Sequence, residues 1–361
     1  MSVEFWRMGA TPVPSAEIER FAREFEAAGW DGFAVGEAHG LLPDPYIVLA
    51  RAAAATTTLQ LATAVAVPLR SPLLAASAMA TLQAVSGGRA SFSIGRGDGA
   101  VKVLKRKPMR VAQFEAYLSQ VQAYLRGEDV DLEGVSTSMA RVYDIDPSLR
   151  MTKPPLDVAA TGPRTIEAAA RTADGVSFSV GADVERLRRS VESVRETCDR
   201  IGRDFESLRL GCYLQVAVTD ADRSAREAIR GLVVTHARFS GWEPKAAADV
   251  SEQAHTTYRH ALETMESVYQ SSRGGVAVRE GGRPGEVDFY PHEAGGDELI
   301  DQFAIAGSAQ YCAERLQEII DLGFTRFMIG TRAVGVDLDE ANAMRIGREV
   351  FPLLHRTPAR V

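Results

Sequence analysis

A chain of 361 residues, 45% of them apolar, can bury the core of one large domain or two ordinary ones. A net charge of -7 with acids and bases interspersed excludes a general nucleic-acid surface, and three scattered cysteines exclude a disulfide framework or a zinc site. No apolar run reaches the length of a membrane span, and Glu4, Glu17, Glu19, Glu24 and Glu26 occupy the place of a signal peptide, so the expectation is a cytoplasmic protein of small-molecule chemistry.

Short apolar strands alternate with amphipathic helices along the chain. The stretch 3–8 precedes a helix over 15–28, in which Ile18, Phe21, Ala22, Phe25 and Ala28 recur at helical spacing until Gly29 stops it. Strands at 32–36, 59–67 and 90–95 each precede a helical pattern, giving four units by residue 127. Strands at 156–161, 175–180 and 208–218 repeat the theme, and 324–330 with its following helix closes the series. Eight strand-helix units predict an α/β fold, a (β/α)8 TIM barrel in a single domain over 1–361; a doubly wound sheet has the same periodicity but fewer units. Residues 128–155 and 240–297 lack the alternation and read as insertions over the C-terminal face, the second a substrate-side cap.

In a barrel, chemistry gathers on the loops after the strands. The glycines at 95, 97 and 99 miss the dinucleotide spacing by one residue, and no Lys-Ser/Thr follows as in a Walker loop. They either let a flat ring approach the backbone near Gly97, presenting Asp98 to the mouth, or merely shape a turn that Asp98 caps. At Thr161, Gly162, Pro163 and Arg164 a strand ends and a helix opens, which either offers free N–H groups to a phosphate or is an ordinary proline-led start. Glu37 and His39 follow the second strand, where a histidine can handle a proton. The basic run 102–110 is either a solvated loop or a clamp for a polyanionic tail. His255 and His260 have no third ligand, and no metal site is expected.

The segments WDGFAVGEAHG, TTLQLATAVAVPLRSPLLAASAMATLQAVSGGRASFSIGRGDGAV, LDVAATGPRTIEAAARTADGVSFSVG and FAIAGSAQYCAERLQEIIDLGFTRFMIG resemble, in order, landmarks of the bacterial-luciferase-like flavin and deazaflavin oxidoreductases. Within that superfamily the similarity is greatest to the branch of methylenetetrahydromethanopterin reductase. The resemblance implies coenzyme F420, or alternatively FMN, with its ring on a bulge at Ala64, Val65 and Ala66 that contains a cis peptide at 64–65. It implies phosphate binding at Thr161–Arg164 and around Ser179, Val180 and Gly181, and a catalytic set of Asp98, His39 and Glu37. Ala38 separates Glu37 from His39, a departure from the acid-histidine pairs of the family.

The expected function is hydride transfer between F420 and a small organic substrate, in a homodimer. The alternatives are an FMN-dependent monooxygenase served by a partner flavin reductase, or a cofactor-binding homologue without turnover.

Overall fold

The computed structural model describes residues 2–9, 15–38, 42–97, 101, 104–150, 152–220, 225–227, 229, 233, 237, 256, 297–331 and 336–356. Four strand-helix units open it: β1 (Glu4–Gly9), α1 (Ile18–Ala27), β2 (Gly32–Val35), α2 (Pro45–Ala55), β3 (Gln60–Thr63), α3 (Pro72–Val85), β4 (Ala90–Ile94) and α4 (Val111–Arg126). A small antiparallel hairpin, β5 (Val130–Leu132) and β6 (Val135–Thr137), and a short helix α5 (Ala140–Ile145) fill the first insertion. The frame resumes with β7 (Leu156–Ala160), α6 (Pro163–Thr172), β8 (Gly175–Phe178), α7 (Val184–Ile201) and the long β9 (Arg209–Val218). It ends with α8 (Asp297–Phe303), β10 (Ala304–Gly307), α9 (Ala309–Ile320), β11 (Arg326–Gly330) and α10 (Val336–Arg345).

The helices start where the local chemistry favours it. Asp44 accepts the N–H groups of Tyr46 and Ile47, with Pro45 in the first turn of α2, and Ser71, Asp183 and Ser308 cap α3, α7 and α9 in the same way. Gly127 and Gly202, with φ of +77° and +70°, end α4 and α7.

All strands of the main sheet pair in parallel, in the ring β1, β2, β3, β4, β7, β8, β9, β11, and β11 returns to β1. The barrel is therefore closed, as the unit count predicts. β10 was not foreseen: its four residues pair with the last four of β9, from Gln215 to Val218, above the stretch of β9 that pairs with β8. After β9 the described positions 225–227, 229, 233 and 237 are helical, with Ala225, Ile229, Val233 and Ala237 buried. The supposed cap at 240–297 lies almost wholly outside the described residues.

Two apolar layers hold the frame. The larger joins the outer face of the sheet to the helices; the inner one packs Trp6, Ala34, Ala62, Tyr213 and Met328 inside the barrel. The inner layer is also polar. Asp157 accepts the hydroxyls of Ser93 and Ser177 at 2.7 and 2.8 Å, and Ser93 Oγ lies 2.8 Å from the Tyr213 hydroxyl. The Arg326 guanidinium stacks 4.3 Å from the Trp6 ring centroid, 4.0 Å from Asp157.

Candidate active site

The sequence reading ran the third strand to residue 67, but the ladder breaks at Thr63. Between the pairs Ala62–Ser91 and Ala66–Ile94, β3 advances four residues while β4 advances three, so one residue is expelled as a bulge. The Thr63 hydroxyl donates to the Ser93 carbonyl at 2.6 Å and accepts the Ser93 N–H at 3.0 Å, standing in for the missing ladder bonds. The Ala64–Val65 peptide within the bulge is cis. Beyond it, the N–H of Ala66 donates to Ser93 and that of Gly95 donates back to Ala66.

The end of β2 holds the bulge from the other side. Ala64 N–H donates to the Val35 carbonyl, Glu37 N–H donates to the Val65 carbonyl, and the buried Glu37 carboxylate accepts the Val67 N–H at 2.9 Å. Arg70 Nε stands 3.5 Å from the other oxygen of Glu37, and Arg70 also pairs with Asp44 and stacks on Tyr46. A cleft of about 330 Å³ opens beside this group, lined by Glu37, Ala38, Leu42, Pro43, Asp44, Pro45, Leu69 and Arg70. Burial, reinforced by the Glu37 charge, pushes the phenols of Tyr46 and Tyr117 above their ordinary range, so both stay protonated donors near neutrality.

Gly95 joins this rim to that of β7. A side chain there would meet Val65 Cγ2 at 3.3 Å and Ala159 Cβ at 3.8 Å, so its absence keeps the barrel mouth low and flat. Gly97, buried with φ of +92°, follows at once. Arg96 donates through Nε to the Met109 carbonyl at 2.8 Å and accepts the Met109 N–H, which ties the basic segment to the end of β4. Lys105, Arg106, Lys107 and Arg110 of that segment are exposed.

At the next strand end, after β7, Gly162 caps α6 through its backbone, with no side-chain cap, and Pro163 opens the first turn. Thr161 and Gly162 are half-buried, and Pro163 and Arg164 are exposed. The neighbouring Ser179–Gly181 loop is clamped from behind. Arg186 donates to the Val180 carbonyl, Arg315 to that of Ala182, and Ala182 N–H to Gln302. Gly181 has φ of +93°, and a Cβ there would lie 2.4 Å from the Gln302 carbonyl oxygen.

The structure thus brings Glu37, Ala64, Val65, Ala66 and Gly97 together on one side of the mouth, with Thr161–Arg164 and Ser179–Gly181 on adjacent strand ends. Asp98 and His39 lie outside the described residues. Arg70 and the Arg96–Met109 tie went unpredicted, because each depends on a partner distant in sequence. Among the described residues no group of histidines, cysteines or acids is arranged to hold a metal, and no helix is long and apolar enough to cross a membrane.

A family model described as luciferase-like monooxygenase matches residues 2–326. The chain is 26% identical over 349 residues to the 5,10-methylenetetrahydromethanopterin reductase of Archaeoglobus fulgidus, covering 94% of this chain and 96% of that protein. Among solved structures it superposes on the coenzyme F420-dependent tetrahydromethanopterin reductase of Methanopyrus kandleri with a TM-score of 0.75 at 18% identity, covering 98% of this chain and all of that one. An F420-dependent secondary alcohol dehydrogenase, solved with an F420-acetone adduct, matches with a TM-score of 0.71 at 16% identity, over 98% and 100% of the two chains.

Proposed function

The chain belongs to the luciferase-like monooxygenase family, and from that premise we propose that it is an oxidoreductase moving a hydride between coenzyme F420 and a small organic substrate. The observation that carries this reading is the mouth itself: a low floor at Gly95, backed by the bulge at Ala64–Ala66, beside an exposed basic segment tied to β4. A flat ring fits the first feature and an acidic oligoglutamate tail fits the second. The Methanopyrus kandleri reductase and the alcohol dehydrogenase to which the chain is similar differ in substrate and share F420 in name, which supports the cofactor more than any substrate.

Bound F420 would supply the two-electron, hydride-transferring ring. Ala64, Val65, Ala66 and Gly97 would support that ring, while Thr161–Arg164 and Ser179–Gly181 would hold its phosphate at the uncapped start of α6. Asp98 and His39 would manage the accompanying proton. Glu37 already holds Val67 and faces Arg70, so its role in this reading is to position the bulge. The 240–297 segment would contact the substrate. Ile47 on α2 and Leu74 on α3, 64% and 63% exposed, would be covered in a homodimer working in the cytoplasm.

The test is a fluorescence titration of the purified protein with F420 and with FMN, at moderate and high salt. F420 binding at micromolar or tighter concentration, weakened by salt and with FMN ignored, is the expected result. A preference for FMN would overturn it in favour of an oxygen-using monooxygenase.

A further inference from the structure

Residues on the inner face of β9 follow the strand period of two: Tyr213 packs in the inner core, and Gln215 stands on the same face one step nearer the mouth. Gln215 is only 8% exposed, and its amide oxygen has no hydrogen-bond partner among the described residues. Gly330, its register partner, pairs in turn with Met8, and Met8, Val65 and Ala159 pack against the same inner cluster as Tyr213, so the carboxamide is a polar group beside apolar neighbours. Its berth is made by the absence of a side chain opposite. Gln215 pairs in register with Gly330, and a Cβ on Gly330 would lie 2.3 Å from the amide oxygen.

A buried acceptor without a partner is costly, and a purely structural position would favour an apolar side chain of the same length. A carboxamide offers one acceptor beside two donors, and its terminal torsion is soft. That pattern complements an imide edge, in which an N–H stands beside a carbonyl. We propose that Gln215 is a ring-contact residue, accepting the imide N–H of a flavin-type or deazaflavin ring and donating to the adjacent ring carbonyl, with Gly330 holding the amide in place. The inference rests on the reading of the mouth as such a ring site, and it assigns the polar contact that site otherwise lacks on β9.

The experiment compares the intact wild-type protein with Gln215→Met and Gly330→Ala, titrating each with F420 and FMN by fluorescence and following thermal unfolding without ligand. Expected for Gln215→Met is roughly tenfold to hundredfold weaker binding of the preferred coenzyme, the consequence of losing both buried hydrogen bonds to the ring. Its melting temperature is expected to be unchanged or higher, because an unpaired acceptor has gone. Gly330→Ala, which crowds the amide, should also bind more weakly. If Gln215→Met binds as tightly as the wild type, or melts lower with affinity unchanged, the residue is structural and the proposal fails alone. If the wild type binds neither coenzyme, the ring-site reading fails and takes this inference with it.

Discussion

Glu37, at the end of β2, and Val67, beyond the bulge of β3, are joined by a 2.9 Å hydrogen bond from a backbone N–H to a buried carboxylate. Together with the Glu37 N–H on the Val65 carbonyl, this bond fastens one strand end to the next at the place where the ladder is broken.

Glu37→Ala should therefore destabilise the fold by about 1–3 kcal/mol, since it leaves the buried Val67 N–H without its acceptor while Arg70 keeps Asp44. Glu37→Gln keeps an acceptor and should cost about 1 kcal/mol, with F420 affinity within a few-fold of wild type. Urea unfolding and fluorescence titration read both. Full loss of turnover in Glu37→Gln, with binding intact, would move Glu37 into proton transfer.

Glu26 of α1 gives a pH dependence away from the site. Burial raises its pKa, but the Thr58 N–H and hydroxyl and the N–H groups of Leu59 and Thr57 outweigh that and hold it at about 2. A carboxylate depressed in the folded state stabilises above its unfolded pKa, and the contribution is lost as pH falls from near 4.5 toward 2. The wild type should thus lose more stability than Glu26→Gln between pH 6 and pH 2.5, by roughly 1 kcal/mol after allowing for solvent screening. Parallel thermal melts across that range are the check.

Gly181→Ala places a Cβ against the Gln302 carbonyl at a positive φ. A cost of about 2–3 kcal/mol follows from steric overlap and backbone strain together. Because the loop shifts, coenzyme affinity should fall as well. A urea midpoint equal to wild type would show that the loop yields without loss.

Asp157 is the hub of the barrel interior. Asp157→Ala strands the Ser177 hydroxyl, leaves Ser93 with Tyr213 alone and deprives the buried Arg326 cation of its nearby acid, for an expected loss of about 3–5 kcal/mol. Tyr213→Phe should cost only about 1 kcal/mol, since Ser93 keeps Asp157 as its acceptor. Burial, and then the Asp157 charge, raises the Tyr213 pKa, so the phenol remains neutral in the native state. Chemical denaturation of the two variants should rank them in that order.

Replacing Lys105, Arg106 and Lys107 with serine should leave stability unaltered, since all three are exposed. F420 binding at low salt should weaken about tenfold and lose most of its salt dependence, while FMN binding should not change. An unaltered salt profile would return the segment to the status of a solvated loop.

The barrel was legible because each of its eight strands is an apolar run followed by a helix with one buried face, and both periods survive in the sequence. The end of β3 was not, since LQLATAVAV continues its apolar character through a bulge that only the partner strand reveals. β10 is only four residues, too short to carry a period. Glu37 could be flagged by its place after a strand, but the Val67 N–H it accepts is thirty residues away. Gln215 left a faint mark, a polar residue inside the apolar run of β9. Its meaning depends on Gly330, which no local pattern links to it.

Asn342 of α10 accepts the Val218 N–H and donates to the carbonyls of Val216 and Thr331, while β10 pairs along the last four residues of β9. The chain that leaves the barrel after Val218 therefore re-enters at Ala304 roughly 11 Å away, judged from strand rise and spacing. Both ends of the intervening segment are riveted to the frame. Such a junction suits exchange by recombination: a lineage could replace residues 240–296 while keeping Ala225, Ile229, Val233, Ala237 and Gln302, on which the frame packs, and a chimera carrying a relative's segment there should fold with the recipient's stability and the donor's substrate range.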